Sequence, residues 1–430
     1  MNEMKDSGIK WIGSIPEEWE VLKSRYFLNE ISIKGYPNEE VLSLYRDYGI
    51  IPKNSRSDNH NVTSLDTSGY KFVIPGNLVI NKMKAWQGSM AISDLRGIVS
   101  PAYYTFEVDN ERFDLRFLHY ALRNPAYKQE YRRISAGLRI GQWDLNKNEF
   151  KNLKYVYPID KTVQKKIATF LDEKIALIDD IIKDTKQTIE ELVSYKKSLI
   201  KEIVTKGINP NVKLLQSGID WIGEIPEGWK TIPLKLVFEE IGSGTTPDTS
   251  QSEFYSDEIY WIQSGDLYQK KYVEDTKKKI SDKGLNSSSA LKIYKSPFIA
   301  VAMYGASIGN VSISKIDSCV NQAVAVLSNP ILLELEFAYF CLFISKEFLI
   351  LESKGGTQPN ISQEILKNWK IPLPTVDEQK MIIEILDKKT NQIDMIIKEK
   401  ENLISEYENY KKSMIYEYVT GKKRVEGYES

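Results

Sequence analysis

The chain has 430 residues, of which 42% are hydrophobic, 27% charged and 11% aromatic; this excludes a disordered chain and predicts more than one globular domain. A formal net charge of −1 excludes a uniformly basic surface, and two cysteines (Cys319, Cys341) with two histidines (His60, His119) leave little material for a zinc site or a Cys-His or Ser-His catalytic pair. No apolar stretch approaches the roughly 20 residues of a membrane span, and MNEMKDSGIKW lacks a signal-peptide core, so a cytoplasmic protein without membrane attachment is expected.

The first recognisable element is DSGIKWIGSIPEEWEV at 6–21, which returns as QSGIDWIGEIPEGWKT at 216–231 with ten of sixteen positions identical and no gap. That is an internal duplication. Residues 1–157 then read as the first α+β domain. β-type runs at 70–80 and 101–108 are punctuated by Gly, Pro, Asn and Ser, and ERFDLRFLHYALRN (111–124) reads as a helix. Asn124-Pro125-Ala126-Tyr127 lacks the second proline and the preceding apolar strand of an adenine methyltransferase turn, so it reads as a helix-ending turn.

Residues 158–206 predict a long helix. No proline or glycine interrupts 161–206, which spans roughly 70 Å at 1.5 Å per residue. Its apolar residues Ile167, Leu171, Ile178, Ile182, Ile189, Leu192, Leu199 and Ile203 fall on one face. After a linker at 207–214, a second α+β domain (215–373) carries β-type CVNQAVAVL (319–327) and helical ILLELEFAYFCLFIS (331–345). GSGTTP at 242–247 lacks the P-loop pattern and reads as a turn. A second long helix (374–424) repeats the seam 215 residues on, as Ile382, Leu386, Ile393, Ile397, Ile404, Tyr407, Met414 and Tyr418, before a tail at 425–430. Antiparallel pairing of the two helices is the simplest closure, within one chain or between chains.

Each half carries a basic region. Seven cations face two acids between Arg112 and Arg139, and eight lysines face three acids between Lys270 and Lys295. Such patches suit phosphate neutralisation. Two loops per half offer base-reading side chains. VINKMKAWQGSMAIS (79–93) aligns with IAVAMYGASIGNVSIS (299–314) with one residue inserted, setting Lys82, Lys84, Trp86 and Gln87 opposite Tyr304, Ser307 and Asn310. SAGLRIGQWDLN (135–146) and SKGGTQPNISQE (353–364) add Arg139, Gln142 and Trp143 in the first half, and Gln358 and Asn360 in the second. Arg and Lys satisfy guanine, and Gln and Asn satisfy adenine, in the major groove. An ordinary hairpin tip explains any one of these residues equally well.

The segments IPLPTVDEQKMIIEILDKK (371–389) and VYPIDKTVQKKIATFLDEK (156–174), the GTQPNIS loop, the WIGEIPEGW opening and the twofold repetition resemble type I restriction-modification specificity subunits across essentially the whole chain. In the first copy TVQKKI lacks the acid that usually precedes the glutamine, so that turn is expected to be capped differently. The resemblance implies two target recognition domains separated by a coiled coil. It implies double-stranded DNA as ligand, each domain reading half of a split target, with two methyltransferase subunits docked on the helices and a restriction and translocase subunit in the full enzyme. It also implies a chain that is not itself an enzyme and holds no cofactor. S-adenosylmethionine would belong to the methyltransferase, ATP and magnesium to the nuclease. An enzyme with an unrecognised cofactor site and a scaffold binding only protein are the competing classes.

Overall fold

The computed structural model describes residues 3–46, 49–55, 66–139, 142–353 and 359–425, without the side chains of 138, 139 and 142. The fold is α+β with an internal repeat. The chain divides into two compact units, residues 1–186 with 401–430, and residues 187–400, so each unit holds a globular segment and part of both long helices.

In the first unit, strands β1 (Leu28–Ile31), β2 (Leu78–Asn81), β3 (Met90–Ile92) and β4 (Tyr103–Val108) form an antiparallel sheet in the order β1-β4-β2-β3. Helix α1 (Leu115–Arg123) follows, capped by the Asp114 side chain on the Arg116 and Phe117 N–H groups. Asn124 ends α1 and caps α2 (Pro125–Arg133) through Oδ1 to the Ala126 N–H at 2.9 Å, with Pro125 where a missing N–H costs nothing. The Asn-Pro pair is therefore a junction between two helices. Strands β5 (Ser135–Arg139) and β6 (Gln142–Leu145) form a hairpin that leads through α3 (Lys147–Asn152) to the long α4 (Lys161–Lys206).

The second unit repeats this order. Strands β7 (Phe238–Ser243), β8 (Tyr272–Val273), β9 (Phe298–Ala302), β10 (Val311–Ser314) and β11 (Val324–Pro330) pair as β7-β11-β9-β10-β8, with β8 added parallel at the edge. One unbroken helix, α5 (Leu335–Glu352), stands where the first unit has two. Helix α6 (Gln363–Asn368) precedes the long α7 (Val376–Val419). The GSGTTP stretch ends β7: a Cβ on Gly244 would collide with the Val320 carbonyl, so packing accounts for that glycine.

The long helices meet in antiparallel fashion inside each unit, within the one chain. In the first, Phe170 and Tyr418 pack with ring centroids 4.6 Å apart, and Ile167, Leu171, Ile178, Ile182 and Met414 join the core of the globular segment. In the second, Leu199, Ile203, Ile382, Leu386 and Ile393 do the same. Ile189, Leu192, Ile397, Ile404 and Tyr407, midway along the seams, are only half-buried. The groove beside Phe170 and Tyr418 measures about 140 Å³, and its repeat counterpart beside Ile385 and Ile203 about 670 Å³.

Each repeated WIG motif seats a helix C-terminus. Ile12 and Ile15 share a core with Val419, and Lys422 donates to the Ser14 carbonyl at 2.5 Å. Trp221, Ile222 and Ile225 pack with Ile203 and Val204, and Lys206 pairs with Glu224 at 3.3 Å. Each helix N-terminus is bound to its own segment by a fully buried glutamine. Gln164 accepts from the Asp114 N–H at 2.8 Å and donates to the Arg112 and Pro158 carbonyls; Gln379 accepts from Glu334 N–H at 2.8 Å and donates to Leu332 and Pro374. The two first turns are capped differently, as expected. Glu378 and Thr375 exchange side-chain-to-backbone bonds in the second copy, whereas Asp160 accepts from the Thr162 N–H at 2.7 Å in the first.

Candidate nucleic-acid interface

The two candidate loops of the first half converge. The turn from β2 to β3 contains a 3-10 turn at Ala85–Gln87, and it lies against the β5–β6 hairpin because the Leu145 N–H donates to the Lys82 carbonyl at 3.0 Å. Side chains reinforce the join: Lys82 pairs with Asp144 at 2.8 Å, and Trp86 and Trp143 pack with centroids 5.2 Å apart and planes at 48°. The Trp86 indole N–H is buried and has no hydrogen-bond partner among the described residues. Helix α2 completes the surface. Arg132 lies over the Trp143 ring at 5.5 Å, and a Cβ on Gly88, which holds φ +84°, would lie 2.5 Å from the Lys128 side chain. Lys84 is exposed and Gln87 half-buried. Arg139 and Gln142 lie in the hairpin strands, but their side chains are outside the described residues.

The same frame recurs in the second unit. The Ile361 N–H donates to the Met303 carbonyl at 2.8 Å, and a Cβ on Gly309, with φ +73°, would lie 2.8 Å from the Lys346 side chain. Lys346 donates to Asn310 Oδ1 at 2.6 Å. Tyr304 is half-buried against the core, Ser307 accepts the Asn310 N–H through its carbonyl at 2.9 Å, and Asn360 is exposed beside fully buried Ile361. Gln358 lies outside the described residues.

The registers correct the alignment of the two turns. Leu78 pairs with Ile92, and Ile299 with Ile313, so the loops have equal length and no residue is inserted. Gly88 then corresponds to Gly309, Lys82 to Met303, Met83 to Tyr304, Trp86 to Ser307 and Ser89 to Asn310. The sequence misleads here because the flanking apolar residues tolerate a one-place shift, whereas hydrogen-bond register does not.

Much of the basic charge is neutralised locally. Of the eight lysines between 270 and 295, Lys271 pairs with Asp387, Lys279 with Asp275, Lys283 with Glu253, Lys292 with Glu240 and Lys295 with Asp317. In the first half Arg112 pairs with Asp109, Arg116 with Asp172 and Arg133 with Glu130, while Arg123 binds the Arg46 carbonyl. Two of these pairs reach equivalent points on the long helices, since Asp172 and Asp387 are 215 residues apart. His119, between Arg116 and Arg123, has its imidazole pushed down to about 3 by burial and by the two guanidiniums. Both cysteines are buried, their thiols pushed up by burial. Among the described residues no group of three or more His, Cys, Asp or Glu is placed to hold a metal ion, and no helix is long and apolar enough to cross a membrane.

Two α+β segments of common design, joined by two long helices that pair antiparallel, define a duplicated subunit in which shared scaffold and divergent surface are separate. The profile of the Type I restriction modification DNA specificity domain matches residues 16–191 and 226–406, most of the chain, and the chain belongs to this family of specificity subunits. The type I restriction enzyme MjaVIII specificity subunit of Methanocaldococcus jannaschii is 28% identical over 431 residues, which cover 96% of this chain and 94% of that one. The EcoR124I/EcoR124II specificity subunit of Escherichia coli is 28% identical over 196 residues, 42% of this chain and 46% of its own length. The fold is similar to that of a chain from a structure on complex assembly and conformational transition of the type I R-M system, with a TM-score of 0.74 at 15% identity over 95% of this chain and 99% of that one. It is also similar to the HsdS subunit of Thermoanaerobacter tengcongensis, with a TM-score of 0.54 at 15% identity over 95% and 98% of the two chains. Specificity subunits are in general non-catalytic.

Proposed function

We propose that each globular segment reads one half of a divided double-stranded DNA target, and that the paired helices fix the distance between halves and dock two methyltransferase subunits. One observation carries this reading. The Leu145–Lys82 and Ile361–Met303 backbone bonds set the loops identically, yet the side chains presented there differ: Trp86 and Trp143 in one segment, Ser307 and Pro359 in the other. A kept frame with changed contacts suits two readers of different base sequences. The candidate contacts remain Lys82, Lys84, Trp86, Gln87, Arg139, Gln142 and Trp143 for one half-site, and Tyr304, Ser307, Asn310, Gln358 and Asn360 for the other.

On this reading the chain performs no chemistry and acts in the cytoplasm. The methyltransferase partner supplies S-adenosylmethionine, and the restriction and translocase partner uses ATP and magnesium. The test is binding of the assembled methyltransferase complex to DNA carrying both half-sites, measured across salt concentrations. Salt-sensitive binding that requires both half-sites and their spacing is expected. Methyl transfer to DNA by the purified chain alone, or indifference to either half-site, would refute the proposal.

A further inference from the structure

We infer that Arg132 reads a guanine in the half-site of the first globular segment, an inference that rests on the function proposed above. The sequence places Arg132 in the first basic region but not among the candidate base contacts. It lies on α2, outside both candidate loops, and reaches their joint surface only because Gly88 lets the β2–β3 turn close onto that helix at Lys128.

Two neighbouring cations are already engaged. Lys82 is held by Asp144 and Arg133 by Glu130. Arg132 is exposed, and its guanidinium carbon lies 5.5 Å from the centroid of the Trp143 ring. A guanidinium drawn over an indole face is restrained in position, and the bidentate match of its N–H fork to guanine O6 and N7 gains from that restraint. Trp143 is in turn wedged against Trp86, so the support is itself packed. The second segment lacks the whole arrangement. Matching Lys128 to Lys346 and Leu145 to Ile361 puts Ile350 at the place of Arg132, Pro359 at that of Trp143 and Ser307 at that of Trp86. The stack therefore belongs to one half-site and not to the shared scaffold.

The experiment maps methylated positions genome-wide in cells that carry the full chain with its methyltransferase partner, as wild type and as R132A, R132K and R133A. With wild type a divided motif is expected. R132A and R132K should both lose selection for one guanine in one half of that motif, by roughly tenfold or more, and leave the other half unchanged. Lysine keeps the charge but not the fork. R133A, which frees Glu130 on the same helix without touching the Trp143 face, should keep the motif. Retention of the wild-type motif by R132A and R132K would overturn the inference while leaving the proposed function standing. So would recovery by R132K of what R132A loses, which would make Arg132 a phosphate contact. A wild-type motif that is not divided would overturn both.

Discussion

Lys411 holds the Asp179 carboxylate with its ammonium 2.6 Å and 2.7 Å from the two oxygens, and the residues 215 positions away, Lys196 and Asp394, make the same bridge with the roles of the helices exchanged. One bridge lies in each unit. A duplicated sequence produces this result only if the two helices run antiparallel with their repeats in register, so the bridge reports the pairing geometry more directly than the apolar seam does.

A charge-reversal series tests that register. D179K sets two ammonium groups together and should lower stability by about 0.5 to 1 kcal/mol, and D179K with K411D should recover most of it. The effect is modest because Asp179 is half exposed to solvent (53%). Urea midpoints for the single and double variants supply the check; failure of the double variant to recover would mean the two residues do not meet.

The buried glutamines should matter more than the cap beside one of them. Q379L leaves the Glu334 N–H and the Leu332 and Pro374 carbonyls without their partner in a fully buried place, and should cost about 2 to 3 kcal/mol. E378A removes the cap on Thr375 and the long 3.4 Å bond from the Trp229 indole N–H, and should cost about 1 kcal/mol. Denaturant unfolding ranks the two, and a larger loss for E378A would contradict this account of how the helix is fixed to its segment.

His119 predicts a pH dependence of definite sign. Its folded value, about 3, lies below the ordinary 6.5, so the unfolded chain binds a proton that the folded chain refuses. Stability from this group is complete above pH 6.5 and declines as pH falls towards 3. Between pH 7.5 and 5.5 the loss should reach about 1 kcal/mol, in a range where few carboxylates titrate. Thermal unfolding of H119F should show a flatter profile over that interval; an unchanged slope would remove His119 as the cause.

If the helices act as a ruler, shortening both by matched seven-residue blocks keeps the apolar face in phase and removes about 10 Å of helix. The accepted gap between half-sites should shrink by about three base pairs, at 3.4 Å per base pair. Deleting four or seven residues from one helix alone should also change the accepted spacer. Methylation maps of these variants decide the matter, and an unaltered spacer would refute the ruler.

The parts legible in the sequence were those written in local pattern. The duplication, the seam through Ile167 and Leu171 and the breaking power of Asn124-Pro125 depend on spacing and backbone chemistry alone. The surface formed by Lys82, Trp86, Trp143 and Arg132 was half legible. Its loops were visible as polar turns, but their meeting depends on the Leu145 N–H finding the Lys82 carbonyl across 63 positions of chain. Local charge also misled. Lys283 and Lys295 read as part of a basic run, yet their acids, Glu253 and Asp317, lie 30 and 22 residues away along the chain.

The seating of each helix end in a WIG motif gives the molecule a cyclic logic. The end of α4 enters the segment that follows it along the chain, and the end of α7 enters the segment with which the chain begins. A covalent linker follows Lys206 at one junction, and the lysine there pairs with Glu224, whereas Lys422 at the other donates to the Ser14 carbonyl. The order in which the halves are synthesised is therefore immaterial to these two seatings, and a chain opened in that linker and joined instead from beyond Lys422 to the residues before Trp11 would keep both.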